Sequence, residues 1–150
     1  NQGRIDKFIG DGVMAIFDKS NILSACCRNA LKAAAEISSS LDRLNVELYK
    51  EDIDTLRVGI GIHTGTAILG KMGYGTASNE TAIGDTVNVA SRLEQLTKQY
   101  SCELMFSNAV AKSAGLNLKK LTSIKTEIRG KKDFLEAFYC KQASLALNAF

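Results

Sequence analysis

The chain has 150 residues, of which 45% are hydrophobic and 23% charged, and its net charge is +3 at pH 7. This balance is typical of one globular domain and excludes a disordered, collagen-like or coiled-coil chain. No apolar run approaches the roughly 20 residues that a membrane helix needs, and the small net charge does not favour nucleic acid as a partner.

Two short strand-like runs open the chain, at 3–9 and 12–18. Gly10-Asp11-Gly12 joins them, and this combination predicts a β-hairpin. A long helix is expected next, capped by Ser20 or Asn21. Apolar residues at steps of four and three would form its buried stripe, namely Leu23, Cys27, Ala30, Ala34, Ile37, Leu41, Leu44 and Leu48.

The segment 56–63 alternates apolar residues with glycine, which predicts a strand. Its bare face, with Gly59 and Gly61, would let another element approach closely. After a turn, 66–72 is interpreted as the returning strand and 73–80 as a polar loop.

A second helix is predicted from Asp85 or Thr86, either of which could cap it, to about Tyr100. Its spacing would bury Val89, Leu93, Leu96 and Tyr100. A strand at 102–106, a short helix at 107–114 and two or three strands over roughly 116–140 would complete the fold. Strands, hairpins and helices in this mixture predict an α+β class, a central mostly antiparallel sheet with packed helices. Residues 141–150 are expected to be a frayed C-terminal tail.

The four cysteines form no CxxC pair, which disfavours a zinc site or a disulfide framework. Free thiols in a reducing compartment are therefore expected, and with them a cytoplasmic location. His63, the only histidine, has no base–nucleophile neighbourhood in the sequence and is interpreted as structural.

Two patterns could carry chemistry. Asp11, between two glycines, could present one oxygen ligand to Mg²⁺, although a plain turn explains the same residues. Asn88 and Arg92 lie four apart on one helix face and could hold a ribose and a phosphoryl oxygen, although a solvated face is the simpler interpretation. Lys7 and the cluster around Lys131 are ordinary surface cations when taken alone.

Three runs together resemble the catalytic domain of class III nucleotide cyclases. They are IDKFIGDGVMAIF at 5–17, RVGIGIHTG at 57–65 and AIGDTVNVASRLE at 82–94. The resemblance extends to about Tyr139, so residues 1–140 would form the cyclase domain, with its ferredoxin-like core. It implies conversion of ATP to 3′,5′-cyclic AMP and pyrophosphate, in intracellular signalling, with two Mg²⁺ or Mn²⁺ ions per site at the interface of a homodimer.

The same resemblance implies roles for individual residues. Asp11 matches a metal-binding aspartate and Asn88 the asparagine that orients the ribose. Arg92 matches the arginine that stabilises charge on the phosphorus. Lys131 matches a lysine that binds the terminal phosphates, in a variable segment.

Lys7 and Thr81 match the two purine-reading positions of the family. A lysine ammonium donates to N1 of adenine, and a threonine hydroxyl can accept from N6. Guanine reverses both demands and would call for an acidic residue at position 7. The pair resembles the variant of many bacterial adenylate cyclases.

The chain departs from the family pattern at its front. Family domains begin with a strand that carries a second metal-binding aspartate, and the chain starts after it, as an N-terminally truncated domain would. The 150 residues alone are therefore expected to be inactive, and cyclic AMP production by them with Mn²⁺ would contradict this. A guanylate cyclase and a non-catalytic nucleotide-binding or dimerisation module remain as alternatives.

Overall fold

The computed structural model describes residues 1–72, 79–127 and 134–150. The strands in these ranges are β1 (Arg4–Ile9), β2 (Gly12–Ile16), β3 (Ile60–Ile62), β4 (Ile68–Met72), β5 (Asn79–Ile83), β6 (Leu104–Ser107), β7 (Thr122–Glu127) and β8 (Phe134–Cys140). The helices are α1 (Leu23–Lys50), α2 (Asp85–Tyr100) and α3 (Asn108–Ala114), with 3₁₀ segments at Leu118–Lys120 and Ala143–Ala149. None of the helices in the described ranges is long and apolar enough to cross a membrane.

The central sheet has four strands in the order β3-β6-β8-β7. β3 runs parallel to β6, whereas β8 is antiparallel to both β6 and β7. The other strands form two antiparallel ribbons, β1 with β2 and β4 with β5. The predicted α+β class, a mostly antiparallel sheet with packed helices, is thereby confirmed.

The strand pairing corrects one prediction. The segment 66–72 does not return along 56–63, because β4 pairs with β5 instead. β3 is short and takes β6 as its parallel partner, with Ile60 opposite Leu104. Parallel strands need a long crossover, and the segment that contains α2 supplies it.

Side chains from β6 alternate between two hydrophobic cores. Leu104 and Phe106 pack with residues of α1, α3 and the final 3₁₀ segment. Met105 points to the other face and packs with Val89 and Leu93 of α2. The sheet is therefore covered by helices on both faces, and β6 is buried over its full length.

The glycines of β3 let α2 approach the sheet closely, as the sequence predicted. A Cβ on Gly61 would overlap the carbonyl oxygen of Ala90 and the backbone nitrogen of Glu94, and one on Gly59 would overlap the Thr97 hydroxyl. Only a residue without a side chain fits against the helix backbone at Gly61. This contact fixes the position of α2 on the sheet.

The second predicted helix is confirmed in its bounds and in most of its buried face, and only its cap differs. Gly84 is the N-cap residue, at φ 137°, and no side chain caps the helix. The Thr86 hydroxyl donates instead to the Thr66 carbonyl oxygen at 2.6 Å. Val89, Leu93 and Leu96 are buried, and Tyr100 is half-buried.

The first helix and the chain end differ from prediction in detail. Ile22 is the N-cap of α1, and its backbone N–H donates to the Ser20 hydroxyl. Leu23, Ile37 and Leu44, expected in the buried stripe, are 55%, 47% and 41% exposed. The frayed tail is wrong as a prediction, since the 3₁₀ segment Ala143–Ala149 packs on α1 with three buried alanines.

Candidate active site

Asp11 lies at the two-residue turn of the β1–β2 hairpin. Ile9 pairs with Gly12, and Gly10 adopts φ +62°, a left-handed conformation that glycine accepts without strain. The Asp11 carboxylate is exposed and makes no hydrogen bond or ion pair with another described residue. Its oxygens are therefore free to accept a ligand.

Asp11 is the metal ligand that the sequence predicted. Over residues 1–72, 79–127 and 134–150 there is no group of three or more His, Cys, Asp or Glu side chains that could hold a metal ion. Mg²⁺ takes one or two protein carboxylates and completes its shell with water and substrate phosphates. Asp11 can supply one such carboxylate ligand, and other groups must supply the remaining ligands.

Lys7 and Thr81 are brought together by a residue that the sequence analysis did not single out. The Thr81 hydroxyl donates to Asp6 Oδ2 at 2.6 Å, although the two residues are 75 positions apart in the chain. The Lys7 ammonium lies 3.6 Å from the same carboxylate oxygen. The two predicted purine-reading side chains thus share one carboxylate.

Asp6 owes its position to an irregularity in β1. Ile5 pairs with Ala15 and Lys7 with Met14, so that β1 holds one residue more than β2 at Asp6, as in a β-bulge. The Asp6 side chain is 0% exposed and also lies 3.7 Å from the Arg4 guanidinium. An acidic residue beside Lys7 is visible in the sequence, but its pairing with Thr81 depends on β1 lying beside β5.

Asn88 and Arg92 lie one turn apart on α2, as predicted, and both are exposed. Their neighbours Val89 and Leu93 are 1% and 0% exposed and anchor the helix on the sheet. Neither the Asn88 amide nor the Arg92 guanidinium has a side-chain hydrogen bond or ion pair with another described residue. The face that carries them can therefore contact a ligand without breaking an existing interaction.

His63 and Lys131 are the remaining two residues that the sequence singled out. His63 Nδ1 lies 2.7 Å from the hydroxyl of Ser107, a fully buried residue, which supports its structural interpretation. Lys131 lies outside the described residues.

Apart from Asp11, the described candidate residues form two groups within one chain. The first is Lys7 and Thr81, joined through Asp6. The second is Asn88 and Arg92 on α2, the helix that follows β5. Asp11 is separate, since no hydrogen bond or ion pair in the described parts of the chain links it to either group. The turn carboxylate is a group that suits a divalent cation, and the exposed amide–guanidinium pair is one that suits a phosphate-bearing ligand.

The comparisons define the family. Residues 4–141 match the adenylate and guanylate cyclase catalytic domain, and the chain belongs to that family, whose members use divalent metal ions. An adenylate cyclase of Anabaena cylindrica is 43% identical over 115 residues, which are 74% of this chain and 22% of that protein. The terminal-differentiation-specific adenylate cyclase of Dictyostelium discoideum is 38% identical over 116 residues, 77% of this chain and 5% of that protein.

Solved structures agree with this assignment. A bacterial light-regulated adenylyl cyclase has a TM-score of 0.68 at 31% identity, over 91% of this chain and 38% of that chain. The guanylyl cyclase Cya2 has a TM-score of 0.79 at 24% identity, over 91% of this chain and 68% of that chain, and at that identity supports the fold alone. The chain spans about a fifth or less of the length of the curated relatives named above.

Proposed function

We propose that the native protein carrying this chain is an adenylate cyclase. The reaction joins the ribose 3′-oxygen of ATP to its α-phosphorus, breaks the bond to the β-phosphate, and releases cyclic AMP, pyrophosphate and the hydroxyl proton. The observation that carries the proposal is the junction of Lys7 and Thr81 at Asp6. It assembles a cation and a hydroxyl that suit the Watson–Crick edge of adenine.

The other residues act on the sugar and the phosphates. Asn88 orients the ribose, and Arg92 stabilises negative charge on the phosphorus as it becomes five-coordinate. Asp11 would hold a Mg²⁺ or Mn²⁺ ion, which when bound neutralises phosphate charge and favours loss of the hydroxyl proton. Lys131 would bind the terminal phosphates.

Adenine fits this pair of side chains better than guanine does. Adenine N1 is an acceptor and faces the Lys7 ammonium, while its N6 amino group donates to Thr81. Guanine would place an N1–H donor against the ammonium, which has no lone pair to accept it. A preference for ATP over GTP follows.

Two observations support a homodimeric site. Asp11 makes no hydrogen bond or ion pair with Asn88 or Arg92 within the described residues, which is consistent with a site shared between two copies. The two ribbons also expose large apolar side chains, which a second copy could cover: Ile5, Phe8, Ile9, Val13, Ile68, Leu69 and Ile83. We propose that each site takes Asp11 from one protomer and Asn88 and Arg92 from the other. The four free thiols support a cytoplasmic location for the reaction.

Mixing two inactive variants of the native protein tests this arrangement. Asp11→Ala and Arg92→Ala should each lower cyclic AMP formation by a homodimer at least about a hundredfold. A mixed dimer keeps one intact site, so random exchange of subunits should restore about one quarter of the native activity. A mixture that stays inactive although mixed dimers form would contradict the shared site.

The same assay decides between the candidate reactions. Turnover of ATP and GTP is measured side by side with Mg²⁺ and with Mn²⁺. Higher kcat/KM for ATP supports the proposal, whereas a preference for GTP indicates a guanylate cyclase. Nucleotide binding without turnover in the native protein indicates a non-catalytic module.

A further inference from the structure

Asp6 is a buried carboxylate with a single strong hydrogen bond. Its Oδ2 accepts from the Thr81 hydroxyl at 2.6 Å, while its Oδ1 is buried and has no hydrogen-bond partner among the described residues. The side chain is 0% exposed, and its positive neighbours Arg4 and Lys7 lie at 3.7 and 3.6 Å. A carboxylate has no proton to donate, so this contact takes the proton of the Thr81 hydroxyl.

This contact determines which way the Thr81 hydroxyl faces. A hydroxyl has one proton and two lone pairs. Because the Thr81 proton is committed to Asp6, the oxygen can offer only lone pairs to a third group. Thr81 is 6% exposed, so no large movement of its side chain is open to it in the folded chain.

We propose that Asp6 is a positioning residue that sets the purine preference through Thr81. It keeps the hydroxyl as an acceptor, which suits the N6 amino group of adenine and opposes the O6 carbonyl of guanine. Without Asp6 the hydroxyl could rotate and donate to O6. This inference rests on the proposed function and deepens it, since it assigns specificity to a residue that does not touch the nucleotide.

The bulge in β1 makes the arrangement possible. In a regular strand the neighbours Asp6 and Lys7 would point to opposite faces of the ribbon. The extra residue at this position accompanies an arrangement in which the Lys7 ammonium lies near the Asp6 carboxylate that accepts from Thr81 of β5. The bulge thus places Lys7, the proposed donor to adenine N1, beside Asp6. Asp6 in turn orients the Thr81 hydroxyl, which accepts from the N6 amino group.

The test measures nucleotide preference in variants of the native protein. Asp6→Asn keeps the shape of the side chain, and its amide can donate to the Thr81 oxygen and release the hydroxyl proton. Asp6→Ala removes the partner altogether. The ratio of kcat/KM for GTP to that for ATP should rise about threefold to tenfold in both variants, the range that one neutral hydrogen bond covers. Competition by 3′-deoxy-ATP and 3′-deoxy-GTP, which cannot cyclise, measures the same ratio at equilibrium.

Two controls separate positioning from a general loss of structure. Asp18→Asn removes another carboxylate bound to Arg4, at 3.3 Å, that makes no contact with Thr81, and it should leave the ratio unchanged. Thr81→Val removes the hydroxyl, so adding Asp6→Ala to it should not shift the ratio further. Non-additivity of this kind identifies residues that act as one unit.

The outcomes are distinct. Asp6 variants that lower ATP and GTP turnover equally, or that shift the ratio as strongly in the Thr81→Val background, overturn the inference while leaving the adenylate cyclase proposal intact. A native protein that binds GTP better than ATP, or binds neither, overturns both. A ratio that rises only when Thr81 is present supports the inference.

Discussion

At the scale of single residues, the candidate catalytic side chains are exposed and carry little of the fold. Asn88 and Arg92 project from α2 while Val89 and Leu93, beside them in sequence, are buried. An exposed cation without a partner contributes almost nothing to stability. Loss of function at Arg92 should therefore be separable from loss of structure.

Arg92→Ala should lower kcat for cyclic AMP formation by about 10²–10³-fold, the usual effect of removing one group that stabilises transition-state charge. The unfolding temperature should stay unchanged. Lys98→Ala, which removes an exposed cation from the last turn of the same helix, is the matched control and should retain activity. Equal losses in the two variants would show that net charge, and not the position of Arg92, matters.

At the scale of elements, the contact between β3 and α2 positions the helix that carries Asn88 and Arg92. Gly61 packs directly against the backbone of Ala90 and Glu94. Separating β3 from α2 at this contact would lower the stability of the fold. The ribbon strand β4 contains Gly70, where a Cβ would meet no heavy atom within 4 Å. The space for a side chain is therefore filled at Gly61 and open at Gly70.

Gly61→Ala should lower the free energy of unfolding by about 3 kcal/mol, since the added methyl must displace backbone. It should also lower cyclase activity, because α2 carries Asn88 and Arg92. Gly70→Ala should leave stability within a fraction of a kcal/mol or raise it slightly. Urea unfolding measures both, and a Gly61→Ala protein as stable as Gly70→Ala would refute the close packing.

At the scale of the whole molecule, two cores and the chain end stabilise one fold. The final 3₁₀ segment packs on α1, and the Asn117 backbone N–H donates to the Ala149 carbonyl oxygen at 2.7 Å. Buried thiols are part of this interior. Burial, helped by the nearby Cys102 thiol, raises the pKa of Cys140 to about 11 from 9.0.

This raised pKa predicts a loss of stability in alkali. The unfolded chain releases the Cys140 proton near pH 9, whereas the folded chain keeps it until about pH 11. The stabilisation is complete below pH 9 and is lost as the pH rises to 11, by on the order of 3 kcal/mol. Between pH 9 and 11 the unfolding temperature of the native protein should fall more steeply with pH than that of Cys140→Ala.

Local patterns were sufficient for several features. The hairpin at Asp11 and the helix from Asp85 to Tyr100 follow from turn chemistry and from the 3.6-residue period, which act within a few residues. The glycine face of 56–63 predicted a close approach, and the three runs that resemble nucleotide cyclases predicted the family. The positions of Asn88 and Arg92 on one face also follow from helix geometry alone.

Other features depended on contacts between distant segments. Neither the parallel pairing of β3 with β6 nor the burial of alanines in 143–149 has a local signal, since each depends on which surface lies opposite. The link from Asp6 to Thr81 is of the same kind. The sequence thus determined most of the helices and strands, together with the residue types that they carry. Only the tertiary structure decided which of them meet, because hydrogen bonding and packing act between atoms close in space, whatever their separation along the chain.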